Sequence, residues 1–309
     1  MDYIIFIISM FALIYGADHI INQSEKIALH FEIPAFIIGA TVIAVGTSLP
    51  EMAASITASY QGKTDMAVAN VLGSVTFNIS LVLGVIFLLA KNIHPARDIF
   101  KNDSVWIAIP PILFLLMAYD GVISRFDGIV FLFLMIAYLL FLNSDRKRFE
   151  AEIDEDILKE KFNWLKTSFF LGIGFVFVIV GAKYTIYSAS QIAANFGISE
   201  WVIALLLIAF GTSLPELIVS IMAVRKNNTD MAIGNIIGSN VANFAIVLGS
   251  SALVNPLHVE LSKSGFDILC MLSSSIILIY ISATKLYSKA AGIVLLSIII
   301  LMLNHSLFT

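Results

Sequence analysis

Apolar runs broken by short charged stretches cover almost the whole chain. They fall near residues 3–21, 34–60, 66–90, 104–119, 126–143, 167–187, 200–224, 231–254, 265–282 and 289–303. A membrane-crossing helix needs about 20 mostly apolar residues, and each run reads as one. The runs at 104–119 and 289–303 are short, so their ends are loosely placed. The first run has neither a basic leader nor a small-residue cleavage site and is expected to be retained as a helix. The pattern predicts an all-α integral membrane protein with ten transmembrane helices.

Composition agrees. Of 309 residues, 59% are hydrophobic and 13% charged, whereas soluble domains are about one quarter charged. Ten helices leave too little chain for a separate catalytic domain. A net charge of −4 excludes a broadly basic nucleic-acid surface, and the lone Cys270 cannot form an intrachain disulfide. Lysines and arginines are unevenly shared between alternate loops. Lys63, Arg125, Lys183 and Lys263 lie on one side; the other 14 of the 18, six of them in 144–166, lie on the opposite side. By the positive-inside bias the second side is cytoplasmic, which puts both termini outside in the cell membrane.

An internal repeat organises the chain. Residues 39–84 and 204–249 align without a gap at an offset of 165, and 22 of the 46 positions are identical, including Gly46–Glu51 (Gly-Thr-Ser-Leu-Pro-Glu) against Gly211–Glu216. The same offset pairs Gly16-Ala17 with Gly181-Ala182. Residues 1–143 then form a first five-helix repeat, 144–166 a cytoplasmic connector, and 167–309 a second five-helix repeat. Five is odd, so the second half enters the membrane from the opposite side. Such inverted-topology repeats characterise secondary transporters, whose substrate sites lie at mid-membrane between the halves.

Two carboxylates, Glu51 and Glu216, lie deep in apolar runs that contain no Lys or Arg. An ionisable group at that depth costs several kcal/mol and points to function; protonated glutamates tying helices together are the competing explanation. Thr47 and Ser48 stand four and three residues before Glu51, near its helical face. Pro50 lacks an N–H, so it frees a carbonyl and bends the helix, making the Ala44 and Thr47 carbonyls candidate ligands. Ala209, Thr212, Ser213 and Pro215 repeat the set around Glu216. A second polar stripe runs through Asn70, Ser74 and Asn78, and again through Asn235, Ser239 and Asn243. Interhelical amide bonding competes with ion coordination for Asn70 and Asn235. Together these groups are hard oxygen donors suited to Ca²⁺ or Na⁺ and poorly suited to zinc or copper. Two carboxylates neutralise one Ca²⁺ or can be shared among several Na⁺; three Na⁺ would leave +1 and make the cycle electrogenic.

The paired Gly-Thr-Ser-Leu-Pro-Glu boxes, followed by Asn70-Val-Leu-Gly-Ser74 and Asn235-Ile-Ile-Gly-Ser-Asn240, resemble the two alpha-repeats of sodium/calcium exchangers in the calcium/cation antiporter superfamily. The resemblance spans nearly the whole chain. It implies a central Ca²⁺ site flanked by Na⁺ sites, with the first and sixth segments as a sliding pair. It places Ca²⁺ ligands at Glu51, Glu216 and the Thr47 and Thr212 carbonyls. It places Na⁺ ligands at Ala44, Ser48, Ser74 and Asn78, and at Ala209, Ser213, Ser239 and Asn243. The family's large cytoplasmic calcium-sensing domain cannot fit in 144–166. Three departures stand out. Val75-Thr76 replaces Asn240-Val241, so one polar contact is lost or moved to Thr76. Ala69 replaces Gly234. Asn243 sits where potassium-dependent relatives often carry aspartate, which argues against K⁺ co-transport.

The reading is a Na⁺/Ca²⁺ antiporter working by alternating access, a transporter and not an enzyme. It needs no cofactor beyond its transported ions, binds membrane lipid but no nucleic acid, requires no protein partner and is compatible with a monomer. A Ca²⁺/H⁺ antiporter using the same glutamates is the alternative. No histidine falls at the depth of Ser48 or Ser213 to activate a protease serine, and there is no phosphate-binding loop for an ATP-driven pump. The acidic stretch Asp154–Asp156 lacks the spacing of an EF-hand and reads as solvated connector. Asp65 and Asp230 read as helix caps, Asp18 and Lys183 as side chains snorkelling near helix ends, and His19 as interfacial.

Overall fold

A computed structural model of the chain describes residues 2–90, 95–146, 162–196 and 211–308. It contains helices α1 (Asp2–His30), α2 (Ala35–Thr47), α3 (Leu49–Tyr60), α4 (Thr64–Leu89), α5 (Ile99–Met117) and α6 (Arg125–Arg146). The second half contributes α7 (Trp164–Asn195), α8 (Leu214–Arg225), α9 (Thr229–Val254), α10 (Leu261–Thr284) and α11 (Lys289–Phe308). Among the described residues seven helices are long and apolar enough to span a membrane. An eighth span, α2–α3, is bent by 44°, α11 is a shorter apolar helix, and α8 is the described part of the repeat equivalent of α2–α3. The protein is an all-α membrane protein of ten spans in two inverted halves.

The inversion is visible in one interface. Ser9 faces Thr185, whose hydroxyl donates to it at 2.9 Å, while Leu13 meets Gly181, Gly16 meets Val178 and Ile20 meets Gly174. As α1 advances, its partner residues on α7 recede, so the two run antiparallel. The 165-residue offset makes Gly16 and Gly181 equivalent, so equivalent helices point in opposite directions. Their backbones nearly touch: a Cβ on Gly16 would lie 2.8 Å from the Gly174 carbonyl oxygen. These two helices are among the least buried of the described long spans, 33% and 28% buried, whereas α4 and α9 are 78% and 89% buried. The centre of the molecule is therefore α4 and α9, with α1 and α7 outside them.

Other contacts keep the pseudo-symmetry. Equivalent helices α5 and α10 pack on each other, α11 covers the second half of α4, and α6 covers the second half of α9. A two-residue strand β1 (Val122–Ile123) pairs antiparallel with β2 (Leu257–His258), joining the loops that precede α6 and α10. Helix α2 lies directly on α9, where a Cβ at Gly238 would sit 2.3 Å from the Ala40 carbonyl oxygen. Backbone cannot yield as a flexible side chain does, so Gly238→Ala is expected to force the helices apart. Overpacking of this kind costs about 1–3 kcal/mol, readable as a lower melting temperature in detergent; an unchanged melting temperature would contradict the close crossing.

Several helices outrun their apolar runs. Helix α1 continues from 21 to His30, α7 to Asn195, and α5 begins at Ile99, where Asp98 accepts from the Lys101 N–H at 3.1 Å. Polar residues continue a helix once its hydrogen bonds are started and its other face is packed. The cap positions before α4 and α9 belong to Lys63 and Asn228, and the Asn228 side chain accepts from the Met231 N–H at 3.3 Å. Asp65 and Asp230 lie inside the first turns instead, and the Asp230 carboxylate accepts from the Ala96 N–H at 3.1 Å. Asp18 is no snorkelling terminal residue: it lies within α1, 2.6 Å from Lys226 Nζ, which also donates to Asn22. Residues 147–161 of the 144–166 connector lie outside the described residues.

A buried charge cluster went unnoticed in the sequence, where Arg97 counts only as a loop cation. Its Nε and Nη2 donate to the two oxygens of Asp103 at 2.6 and 2.9 Å, and Nη1 donates to Asp145. The guanidinium lies 4.6 Å over the Phe36 ring. One side chain thus joins the starts of α2 and α5 to the end of α6, with Arg97, Asp103 and Asp145 only 4%, 0% and 5% exposed.

Candidate cation site

The site begins with a chain break. Helix α2 ends at Thr47, Ser48 leaves helical geometry at φ −83° and ψ 5°, and α3 starts at Leu49 with Pro50 in its first turn. A proline there loses no hydrogen bond that the helix would have made, so the sequence favours a new helix over a kinked one. Ser213 repeats the geometry at φ −87° and ψ 2°, with Pro215 in the first turn of α8. Each break places a glutamate in the first turn of the following helix, where the helix dipole favours negative charge.

Glu51 and Glu216 are both fully buried, and the two carboxylates come close enough for their charges to interact. The neighbours are exchanged between halves. Thr212 and Ser213 stand beside Glu51, and Thr47 and Ser48 stand beside Glu216; Ser48 Oγ donates to Glu216 Oε1 at 3.1 Å. Both oxygens of Glu51 and Oε2 of Glu216 have no hydrogen-bond partner. Buried polar atoms are nearly always partnered, so three orphaned carboxylate oxygens in one place call for a cation or a proton.

The two asparagines nearest the breaks hold the halves together. Asn70 donates through Nδ2 to Ser55 Oγ at 2.8 Å and to the Glu51 carbonyl at 3.3 Å, and accepts from Thr212 Oγ1 at 3.3 Å. Asn235 donates to Ser220 Oγ at 3.0 Å and accepts from Thr47 Oγ1 at 3.4 Å. Asn70, Ser55 and Thr212 map onto Asn235, Ser220 and Thr47 at the 165-residue offset. These amides are interhelical ties, and the conservation of Ser55 as Ser220 within the repeat was the signal that could have shown it. Removing one tie leaves buried groups unpaired, so Asn235→Ala is expected to cost about 1–3 kcal/mol, checked by thermal unfolding in detergent; unchanged stability would contradict the role.

The outer candidates are placed around this centre. The Ala44 carbonyl accepts from the Ser48 N–H at 3.1 Å, from Thr47 Oγ1 at 3.3 Å and, across the halves, from Ser239 Oγ at 3.4 Å. Ser74 is buried; Ala209, the repeat equivalent of Ala44, lies outside the described residues. Asn78 and Asn243 are fully buried and each opens a six-residue π-helical turn, Asn78–Leu83 and Asn243–Leu248. Such turns widen a helix locally and often occur at functional positions; no residue pattern announced them. Helix α8, carrying Glu216, packs on the turn at Asn78, and α3, carrying Glu51, packs on the turn at Asn243. Thr76 does not replace the contact missing at Val75, because its hydroxyl donates at 2.8 Å to the Leu72 carbonyl of its own helix. Among the described residues no group of three or more His, Cys, Asp or Glu side chains comes together. The donors are two carboxylates with hydroxyl, amide and carbonyl oxygens, a set for hard cations.

Residues 1–143 and 166–308 match the family described as sodium/calcium exchanger protein. The chain belongs to that family. It is 36% identical over 279 residues to the inner membrane protein YrbG of Escherichia coli, covering 88% of this chain and 85% of that protein. It is 30% identical over 334 residues to the sodium/calcium exchanger MaX1 of Methanosarcina acetivorans, covering 96% and 95%. Among solved structures, the sodium-calcium exchanger NCX_Mj soaked with Na⁺ and Sr²⁺ superposes with a TM-score of 0.82 at 34% identity, covering 97% of this chain and 98% of that one. As a member of this family the chain is a membrane cation exchanger.

Proposed function

We propose that this exchanger moves Na⁺ against Ca²⁺, and that both ions use, in turn, the space between Glu51 and Glu216. The observation that carries the reading is the pair of buried carboxylates from opposite halves with three unpartnered oxygens. Two such carboxylates balance one Ca²⁺. The same negative charge attracts Na⁺ once Ca²⁺ has left, with Ser48, Ser213, Asn78 and Asn243 as flanking ligands and the Ala44, Thr47 and Thr212 carbonyls beside them; Ala209, the sequence equivalent of Ala44, lies outside the described residues. Ser74 and Ser239 complete the set. Because the ligands are drawn from both halves, a relative movement of the halves opens the site to one side or the other, the geometry of alternating access. The uneven share of lysine and arginine places the termini outside and the 144–166 connector in the cytoplasm.

Equilibrium binding of radioactive Ca²⁺ to the purified protein tests the shared site. One Ca²⁺ should bind per chain, and Na⁺ should displace it completely. Ca²⁺ that stays bound at saturating Na⁺ would refute a single alternating site.

A further inference from the structure

The inverted repeat gives each ligand a structural twin, and one pair of twins is treated differently. Asn78 and Asn243 are equivalent, fully buried, and both begin a π-helical turn. Asn78 Nδ2 donates to Asn240 Oδ1 at 3.1 Å, which leaves Asn78 Oδ1 buried with no partner. The residue equivalent to Asn240 is Val75, which has no acceptor, and both amide atoms of Asn243 are without a partner.

An asparagine amide carries a donor on one side and an acceptor on the other, nearly equal in shape. A cation beside it is attracted by the oxygen and repelled by the NH₂ group, so a half-turn about the last side-chain bond reverses the sign of the interaction. Resting on the Na⁺ role proposed above for Asn78, we infer that Asn240 is a positioning residue: by accepting from Asn78 Nδ2 it holds the amide oxygen of Asn78 ready for Na⁺. Asn243 lacks this partner and must be oriented by the ion itself. The two halves therefore bind Na⁺ unequally, with the better-organised ligand in the first half. Asn240 also borders a cavity of about 10 Å³ beside Trp106, Pro110 and Ser275, close to the room one water needs, which leaves slack for the branched valine side chain.

The test uses the Ca²⁺-binding assay with Na⁺ as competitor. A tenfold change corresponds to about 1.4 kcal/mol, the upper end of what one neutral hydrogen bond contributes. In Asn240→Val the Na⁺ concentration that displaces half of the bound Ca²⁺ should therefore rise about tenfold, with Ca²⁺ affinity in the absence of Na⁺ unchanged. Asn240→Asp keeps the acceptor and should displace like the wild type or at lower Na⁺. Adding Asn78→Asp to Asn240→Val supplies oxygen on both faces of the side chain, so it should restore displacement; a purely structural role for Asn240 would not be rescued this way. Equal displacement in wild type and Asn240→Val, or no rescue by Asn78→Asp, overturns the inference alone. Wild-type Ca²⁺ that Na⁺ cannot displace would sink the exchange reading and this inference with it.

Discussion

Replacing Glu51 or Glu216 by glutamine is expected to abolish Ca²⁺ transport while leaving a folded, membrane-inserted protein. Glutamine keeps the shape and one acceptor oxygen but removes a charge. Two opposite unit charges 4 Å apart at an effective dielectric of 20 interact by about 4 kcal/mol, so losing one carboxylate weakens Ca²⁺ binding by about a thousandfold or more. Folding should not suffer. Removing a buried like charge relieves repulsion between the two carboxylates, and the neutral amide is cheaper to bury at membrane depth. Three of the four carboxylate oxygens make no hydrogen bond that glutamine would break. Ca²⁺ uptake into proteoliposomes and thermal unfolding of the same preparation separate the two effects. Normal uptake by either variant would remove the basis for the site, and loss of uptake together with loss of fold would assign the glutamates a structural role.

Arg97→Ala should produce the largest loss of stability. Removing one partner from a buried ion pair leaves an uncompensated charge and costs about 3–5 kcal/mol. Here two acids, Asp103 and Asp145, lose their common cation at once. Arg97→Lys keeps the charge but cannot reproduce the fork that grips both oxygens of Asp103, so it should recover only part of the loss. Melting temperatures of the three proteins in one detergent order them wild type, lysine, alanine. A wild-type melting temperature for Arg97→Ala would show that this cluster does not hold α2, α5 and α6 together. Ca²⁺ affinity should change little, since the cluster contributes no group to the site around Glu51 and Glu216.

What could be read from the sequence was whatever the repeat states twice. The spans follow from apolar runs, the inversion from an odd number of helices per half, and the two carboxylates from their isolation in apolar surroundings. The breaks at Ser48 and Ser213 follow from Pro50 and Pro215, although each proline opens a new helix where the sequence suggested a kink. Pairings across the halves stayed hidden, because residues 168 apart, such as Ser48 and Glu216, are joined only by the folding of the two repeats on each other. The same holds for Lys226 with Asp18, whereas Arg97 stays hidden because its partners Asp103 and Asp145 stand at the ends of two different helices that only folding brings together. The tie from Asn78 to Asn240 was hidden for another reason. It breaks the repeat, and a pattern read by internal identity is blind where the two copies differ. Asn70 and Asn235, open to two interpretations in the sequence, are resolved by their serine partners as helix ties.

Na⁺/Ca²⁺ exchange is coupling between two ions, and flux measures coupling directly. Purified protein in liposomes should take up radioactive Ca²⁺ when loaded with Na⁺ and diluted into Na⁺-free medium at constant pH. K⁺ or H⁺ gradients of the same size should drive none. Uptake driven by H⁺ and indifferent to Na⁺ would contradict Na⁺/Ca²⁺ exchange and show that Glu51 and Glu216 carry protons against Ca²⁺ instead.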